Sequence, residues 1–168
     1  WRSAENATYS ARGVTAADYN EDGYVDVFVS NYRLQPNFLW KNDGKGTFAD
    51  VAVDSGAAGN PSTVINYTGG ITYPISGHTI GSSFGDLDND GISELYVANM
   101  YSKMGRRIIG QVGNADYPEG IFSQIQGSCA GSRLYRRQAG DSFYVENSLG
   151  RRVNTVGWAY GPAFLDVD

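Results

Sequence analysis

The sequence predicts an all-β chain built from a repeated unit of four short antiparallel strands. Three observations lead there. The segment from Ala17 to Asn31 returns from Gly85 to Asn99, and a third copy opens at Gly157 and runs to Asp168. Apolar and β-branched runs of strand length flank an acidic, Gly-containing loop in each copy. The second halves, Asn37 to Val51 and Ser132 to Glu146, resemble each other too, and both read as a hairpin.

Each element follows from local chemistry. The short runs Val14 to Ala17 and Ser82 to Gly85 precede the acidic loops, and the richer runs Val25 to Ser30 and Glu94 to Ala98 follow them, giving the first two strands of each unit. Asn37 to Val51 matches Ser132 to Glu146: an aromatic run, a Gly-containing turn and a second run with Phe make a hairpin, the third and fourth strands. Asp54 to Thr79, and Tyr101 to Ser132 within the second unit, fit no strand. Their Gly, Pro, Ser and Asn content reads as long surface loops, either binding insertions or tolerated variable segments.

Composition excludes several functions. With 168 residues the chain is long enough to bury a core, and a net charge of -5 with no Lys or Arg run longer than two argues against a nucleic-acid partner. No apolar run approaches the roughly 18 residues of a membrane helix, so no membrane insertion is expected. One cysteine and one histidine exclude an internal disulfide, a Cys-based zinc site and a His cluster. Cys129 is a free thiol or pairs outside this sequence, and His78 reads as structural.

The acidic loops carry the chemistry. Asp18, Asn20, Asp22, Gly23, Tyr24 and Asp26 stand at positions 1, 3, 5, 6, 7 and 9 of the first loop, and Asp86, Asp88, Asp90, Gly91, Ile92 and Glu94 repeat that order in the second. A hard cation such as Ca²⁺ wants six to eight oxygens, which alternate short side chains on a tight turn supply, with Gly for the bend and a carbonyl from position 7. An EF-hand would need an acid at position 12, where Val29 and Val97 stand inside strand patterns. The third loop has Asp166 and Asp168 but neither position 5 nor position 9, so two sites are complete and one is incomplete. Half of the 18 acids stand at ligand positions, and without a cation their repulsion is expected to strain or disorder the loops.

The order of strand, Asp-x-Asp/Asn-x-Asp-Gly-x-x-Asp/Glu, strand, then Asn37-Phe38-Leu39-Trp40 and the turn Asn42-Asp43-Gly44-Lys45-Gly46-Thr47-Phe48, resembles the FG-GAP/VCBS repeat. Its closest flavour is that of the secreted cartilage acidic protein-like and UnbV-associated proteins. The resemblance implies β-propeller blades of four antiparallel strands, with Ca²⁺ held between the first two strands of each blade. It implies a first blade over 1–60, an inter-blade loop over 61–80, a second blade over 81–150 with an insertion over 101–132, and the first strand of a third blade over 151–168. A propeller normally has 4 to 8 blades, so other blades or neighbouring subunits are expected to complete the ring.

It also implies an extracellular, secreted or periplasmic interaction or adhesion scaffold whose partner is a protein or glycan. The alternatives are part of a polysaccharide-acting enzyme or a fibre subunit. No nucleophile stands with a base, so no catalytic residue is expected here. Smaller signals are the sequons at Asn6 and Asn66, and Tyr73 and Tyr117 beside Pro74 and Pro118 as weak ligand-contact candidates. Trp40 and Phe48 are expected in blade cores, and the Arg pairs at 106–107, 136–137 and 151–152 are read as solvated.

Overall fold

The computed structural model describes residues 9–33, 35–66, 72–75, 77–100, 111, 131–137, 142–145, 153 and 156–165, with the backbone alone for 60–66, 72–75 and 144–145. Every described element is a strand. The first sheet is β1 (Ala11–Ala17), β2 (Asp26–Asn31), β3 (Phe38–Asn42) and β4 (Phe48–Asp50), hydrogen-bonded in chain order. A hairpin of β5 (Asn60–Asn66) and β6 (Thr72–Ile75) follows. The second four-stranded sheet is β7 (Thr79–Gly85), β8 (Glu94–Asn99), β9 (Arg133–Arg137) and β10 (Phe143–Val145), again in chain order.

The two sheets repeat each other pair by pair. Val14 faces Val29 as Ser82 faces Val97, and Val27 faces Trp40 as Leu95 faces Tyr135. Even the irregularity in the first strand recurs, between Ala11 and Gly13 and between Thr79 and Gly81. The end of the second strand is tied the same way in both. The Asn31 amide donates to Asn37 Oδ1 at 2.9 Å, and the Asn99 amide donates to Ser132 Oγ at 3.3 Å. Asn37 and Ser132 each stand just before the third strand, so a short polar side chain there holds the turn into the hairpin.

The segment expected as an inter-blade loop over 61–80 instead contains β5, β6 and the start of β7. The β-branched run Thr63-Val64-Ile65 and the Gly69-Gly70 pair are a hairpin signal that the Pro and Ser content outweighed in the sequence reading. Upstream, Ser55, Ala57 and Ala58 are buried rather than on a surface loop. The turn after β4 folds inward because Phe143 N donates to Ser55 O at 2.7 Å and because the small residues fit a narrow space between the sheets. The insertion over 101–132 lies almost wholly outside the described residues, as do Tyr117 and Cys129.

One core joins both sheets. Tyr19, Phe28, Leu39, Ala52, Ala57 and Ala58 from the first cluster with Leu95, Val97, Tyr135 and Phe143 from the second. Phe28 meets Phe84 edge to face at 6.4 Å, and the buried Tyr135 hydroxyl donates to Gly59 O, its pKa pushed well up by burial. Trp40 and Phe48, expected in the core, are only half-buried: they lie on the opposite pleat from Leu39.

The first strands stand side by side, so the blades meet there. Thr15 Oγ1 lies 2.9 Å from Ser82 O and 2.8 Å from Ser82 Oγ. Gly13 and Gly81 hold the same repeat position, five residues before the first Asp of their loops, and Gly161 holds it in the third copy. A Cβ on Gly13 would meet Ile80 O at 2.8 Å, and one on Gly81 would overlap Tyr160 O, whereas one on Gly161 would meet nothing among the described residues. Residues 156–165 thus run beside β7 as β7 runs beside β1. The expected first strand of a third blade is not formed as a strand there; among the described residues the segment's one bridge pairs Trp158 with Met100.

Gly13→Ala and Gly81→Ala are therefore expected to cost about 1–3 kcal/mol each, read as a lowered denaturant midpoint, while Gly161→Ala leaves the midpoint of this 168-residue chain nearly unchanged. His78 supplies a second expectation. Its ring stacks near Tyr32 at 4.8 Å, its Nδ1 has no hydrogen-bond partner among the described residues, and burial holds its pKa below the ordinary 6.5. The native state therefore resists protonation, so this contribution is present above the unfolded-state pKa and is lost as the pH falls through the folded one. The stability gap between the chain and a His78→Gln variant is expected to move against the wild type between about pH 7 and pH 5.

Candidate metal centre

Each acidic loop is built by its first residue. Asp18 Oδ1 accepts from the Asp22 amide at 3.1 Å and Oδ2 from the Gly23 amide at 2.8 Å. Asp86 does the same with Asp90 at 3.1 Å and Gly91 at 2.8 Å. A carboxylate taking two amides across five residues forces a tight turn. The chain meets it with left-handed backbone at Glu21 (φ 61°) and Asn89 (φ 56°) and at Gly23 and Gly91 (φ 89° and 86°). The fifth residue then tightens the exit: Asp22 Oδ1 accepts from Tyr24 N at 3.0 Å and Asp90 Oδ1 from Ile92 N at 2.9 Å.

Position 9 returns the loop to its start. Asp26 is buried at the head of β2, with Oδ2 3.3 Å from Tyr19 N and Oδ1 2.7 Å from Asn42 N. Burial pushes its carboxyl above the ordinary 3.8, against the pull of those two amides. Glu94, 2 % exposed, places Oε2 2.7 Å from Leu87 N. In both loops the residue at position 2 therefore donates to the carboxylate at position 9.

The second loop brings its acids together. One carboxylate oxygen each from Asp86, Asp88 and Glu94 lie within 4.8 Å of one another, while Asp90 is turned to its own backbone contact. In the first loop Asn20 replaces a carboxylate, and its Nδ2 donates to Asp22 Oδ2 at 2.9 Å; no second carboxyl trio converges among the described residues. Tyr24 is exposed with its ring against Gly44, and Ile92 is half-buried. Asp166 and Asp168 lie outside the described residues, and Tyr73 is placed on β6 by its backbone.

The residues that the sequence reading missed are cations. The repulsion expected among the loop acids is met by Lys41 in the first sheet and Arg136 in the second, which share one register position after Leu39-Trp40 and Leu134-Tyr135. Lys41 Nζ is 4.0 Å from Asp22 Oδ2. Arg136 Nη2 pairs with Asp88 Oδ2 and lies 3.0 Å from Glu94 Oε1, with Nε at 3.1 Å from the same oxygen. These carboxylates hold the guanidinium firmly charged. The 136–137 pair, read as solvated, is largely covered: Arg137 reaches back to the first loop, donating to Tyr19 O and Glu21 Oε1, both at 2.7 Å. Aligning the two hairpins would have found Lys41 and Arg136, but nothing local marks Arg137 as a contact 118 residues away.

Alternate loop positions thus do different things. Positions 1, 3, 5 and 9 turn their oxygens into the loop, while position 2 packs outward: Tyr19 is buried and tilts against Phe143 at 5.6 Å. Leu87, its counterpart, lines an apolar cavity with Tyr96, Leu134, Pro162 and Phe164. An all-oxygen donor set, crowded with carboxylates and held on a rigid turn, fits a hard divalent cation and no soft metal.

Fold and loops together define an all-β repeat protein of four-stranded units, each with an acidic loop between its first two strands. Residues 18–97, from the first loop to within the strand that follows the second, match the family model of the FG-GAP-like repeat. No curated protein matches the chain.

Asp18→Ala is expected to take from the exposed Gly23 amide its acceptor and from the Asp22 amide the nearer of two, and to cost about 0.5–1.5 kcal/mol, with Asp18→Asn costing less, both read from chemical denaturation in the presence of chelator. Arg137→Met is expected to speed amide exchange at Tyr19 to Gly23 while leaving Leu87 to Gly91 unchanged, since only the first loop is held by that guanidinium.

Proposed function

We propose that this chain is an extracellular Ca²⁺-binding β-propeller segment that serves as a scaffold for protein or glycan recognition, with the metal acting structurally. The observation that carries this reading is the loop itself, built twice in register, with one oxygen each from Asp86, Asp88 and Glu94 gathered within 4.8 Å. Asp18, Asn20, Asp22 and Asp26 would hold the ion in the first loop, and Asp86, Asp88, Asp90 and Glu94 in the second, with backbone oxygen from Tyr24 and Ile92. A bound divalent ion supplies charge neutralisation that ties the end of one strand to the start of the next. Extracellular modules of this kind bind Ca²⁺ at about 10⁻⁴ to 10⁻³ M, which suits a compartment rich in the ion.

A second reading has its own support. Around Gly161, the side chains of Trp158, Tyr160 and Leu165 are 60 %, 61 % and 80 % exposed, whereas Gly13 and Gly81 at the same repeat position are covered by β7 and by residues 156–165. Further blades, or a neighbouring subunit, would seat there, and in the second case the protein would be a subunit of a larger extracellular assembly. Broad apolar exposure of this sort marks interaction surfaces more often than free surface.

Two measurements test these readings. At about one hundred times the dissociation constant, Ca²⁺ is expected to stabilise the chain by roughly 2.7 kcal/mol per site over chelator, with Mg²⁺ a weaker substitute. Equal melting in Ca²⁺ and chelator would overturn the metal reading. The mass in solution with and without chelator separates a monomeric piece of a ring from a subunit that assembles through its open flank.

A further inference from the structure

The two loops are not neutralised alike. In the first, position 9 is satisfied by two backbone amides, and the local side-chain cation, Lys41, stands 4.0 Å from Asp22. A lysine ammonium is a compact point charge on a flexible stem and does not fork two carboxylates as a guanidinium does. In the second, Glu94 receives one amide and the guanidinium of Arg136, which at the same time grips Asp88. Arginine's planar fork is suited to bridging two carboxylates, and here it bridges two of the three whose oxygens converge. The substitutions between the repeats run together: Asn20 becomes Asp88, Asp26 becomes Glu94, and Lys41 becomes Arg136. The longer Glu94 reaches the guanidinium, and the added carboxylate of Asp88 is the one the guanidinium takes.

Resting on the metal reading above, we propose that Arg136 is a built-in counter-cation of the second loop, so that the first loop takes a divalent ion readily and the second admits one only when the guanidinium releases Asp88 and Glu94. The guanidinium then offsets one of the second loop's four carboxylate charges and braces Asp88 against Glu94 without metal, a bridge that Lys41 does not make in the first loop. The released guanidinium must also find other partners or water, so its departure adds to the work of binding. Selectivity follows too: an ion that displaces Arg136 must offer two positive charges and tolerate an irregular oxygen shell, which favours Ca²⁺ over Mg²⁺.

Calorimetric Ca²⁺ titration of the chain, Arg136→Gln and Arg136→Lys tests this, with Asp18→Asn and Asp86→Asn assigning each heat to its loop. Wild type is expected to show one site removed by Asp18→Asn and a second at least about tenfold weaker. Arg136→Gln is expected to strengthen the second site by about tenfold or more and leave the first unchanged, with Arg136→Lys between. Thermal melts keep the test sound if the variant is destabilised. In chelator Arg136→Gln melts lower than wild type, because a buried Glu94 keeps the Leu87 amide but has lost its cation, and Ca²⁺ raises its melting point by more than it raises that of the wild type. Two equal sites in wild type, unaltered by Arg136→Gln, would overturn the proposal alone. Binding at neither loop in any variant would overturn the metal reading and this proposal with it.

Discussion

The structure depends on one short interaction made twice: a carboxylate at the start of a loop accepting two backbone amides four and five residues on. That closure bends the chain sharply enough for the second strand to return antiparallel beside the first. It also sorts the loop residues, turning oxygens at alternate positions inward and leaving the side chains between them to face outward. The same turn therefore makes the sheet, gathers the acids and presents Tyr19 to the neighbouring sheet. Local backbone cost is concentrated at Glu21 and Asn89, where a side chain occupies left-handed space, and the network around each loop offsets it.

Blade packing and the candidate site are consequently one system. Tyr19 enters the shared core at position 2 of the first loop, and Arg137 from the next sheet holds the carbonyl of that same residue. Nothing that stiffens or loosens the first loop can be confined to it, because its outward face is part of the seam. At the second loop the corresponding residue, Leu87, borders the cavity against Pro162 and Phe164 and is 41 % exposed. The backbone does not share that difference: Gly13 and Gly81 are both closely covered by the copy that follows.

The strands and loops were legible because the repeat supplied two independent readings of each. The two copies keep one register, Val27 facing Trp40 as Leu95 faces Tyr135. Legibility failed where the copies differ. Thr63-Val64-Ile65 has no counterpart at the matching place in the other unit, and its flanking Pro and Ser outweighed the β-branched run. The Arg136–Arg137 pair looked solvated because basic pairs usually are, and because alternation on a strand sends the two side chains to different faces. Only folding reveals that one of those faces carries this sheet's own acidic loop and the other meets the loop of the sheet before it.

The sequence by itself determined the all-β class, the repeat, the strand pairs and the positions of the acids in the two loops. These are local properties: side-chain period, turn residues and carboxylate spacing act within about a dozen residues. Tertiary structure alone decided which loop acids converge, which cations neutralise them, and how closely neighbouring first strands approach. Those depend on contacts between residues far apart in the chain, such as Arg137 with Tyr19 or Gly13 with Gly81, and no local preference encodes a partner that only packing brings near.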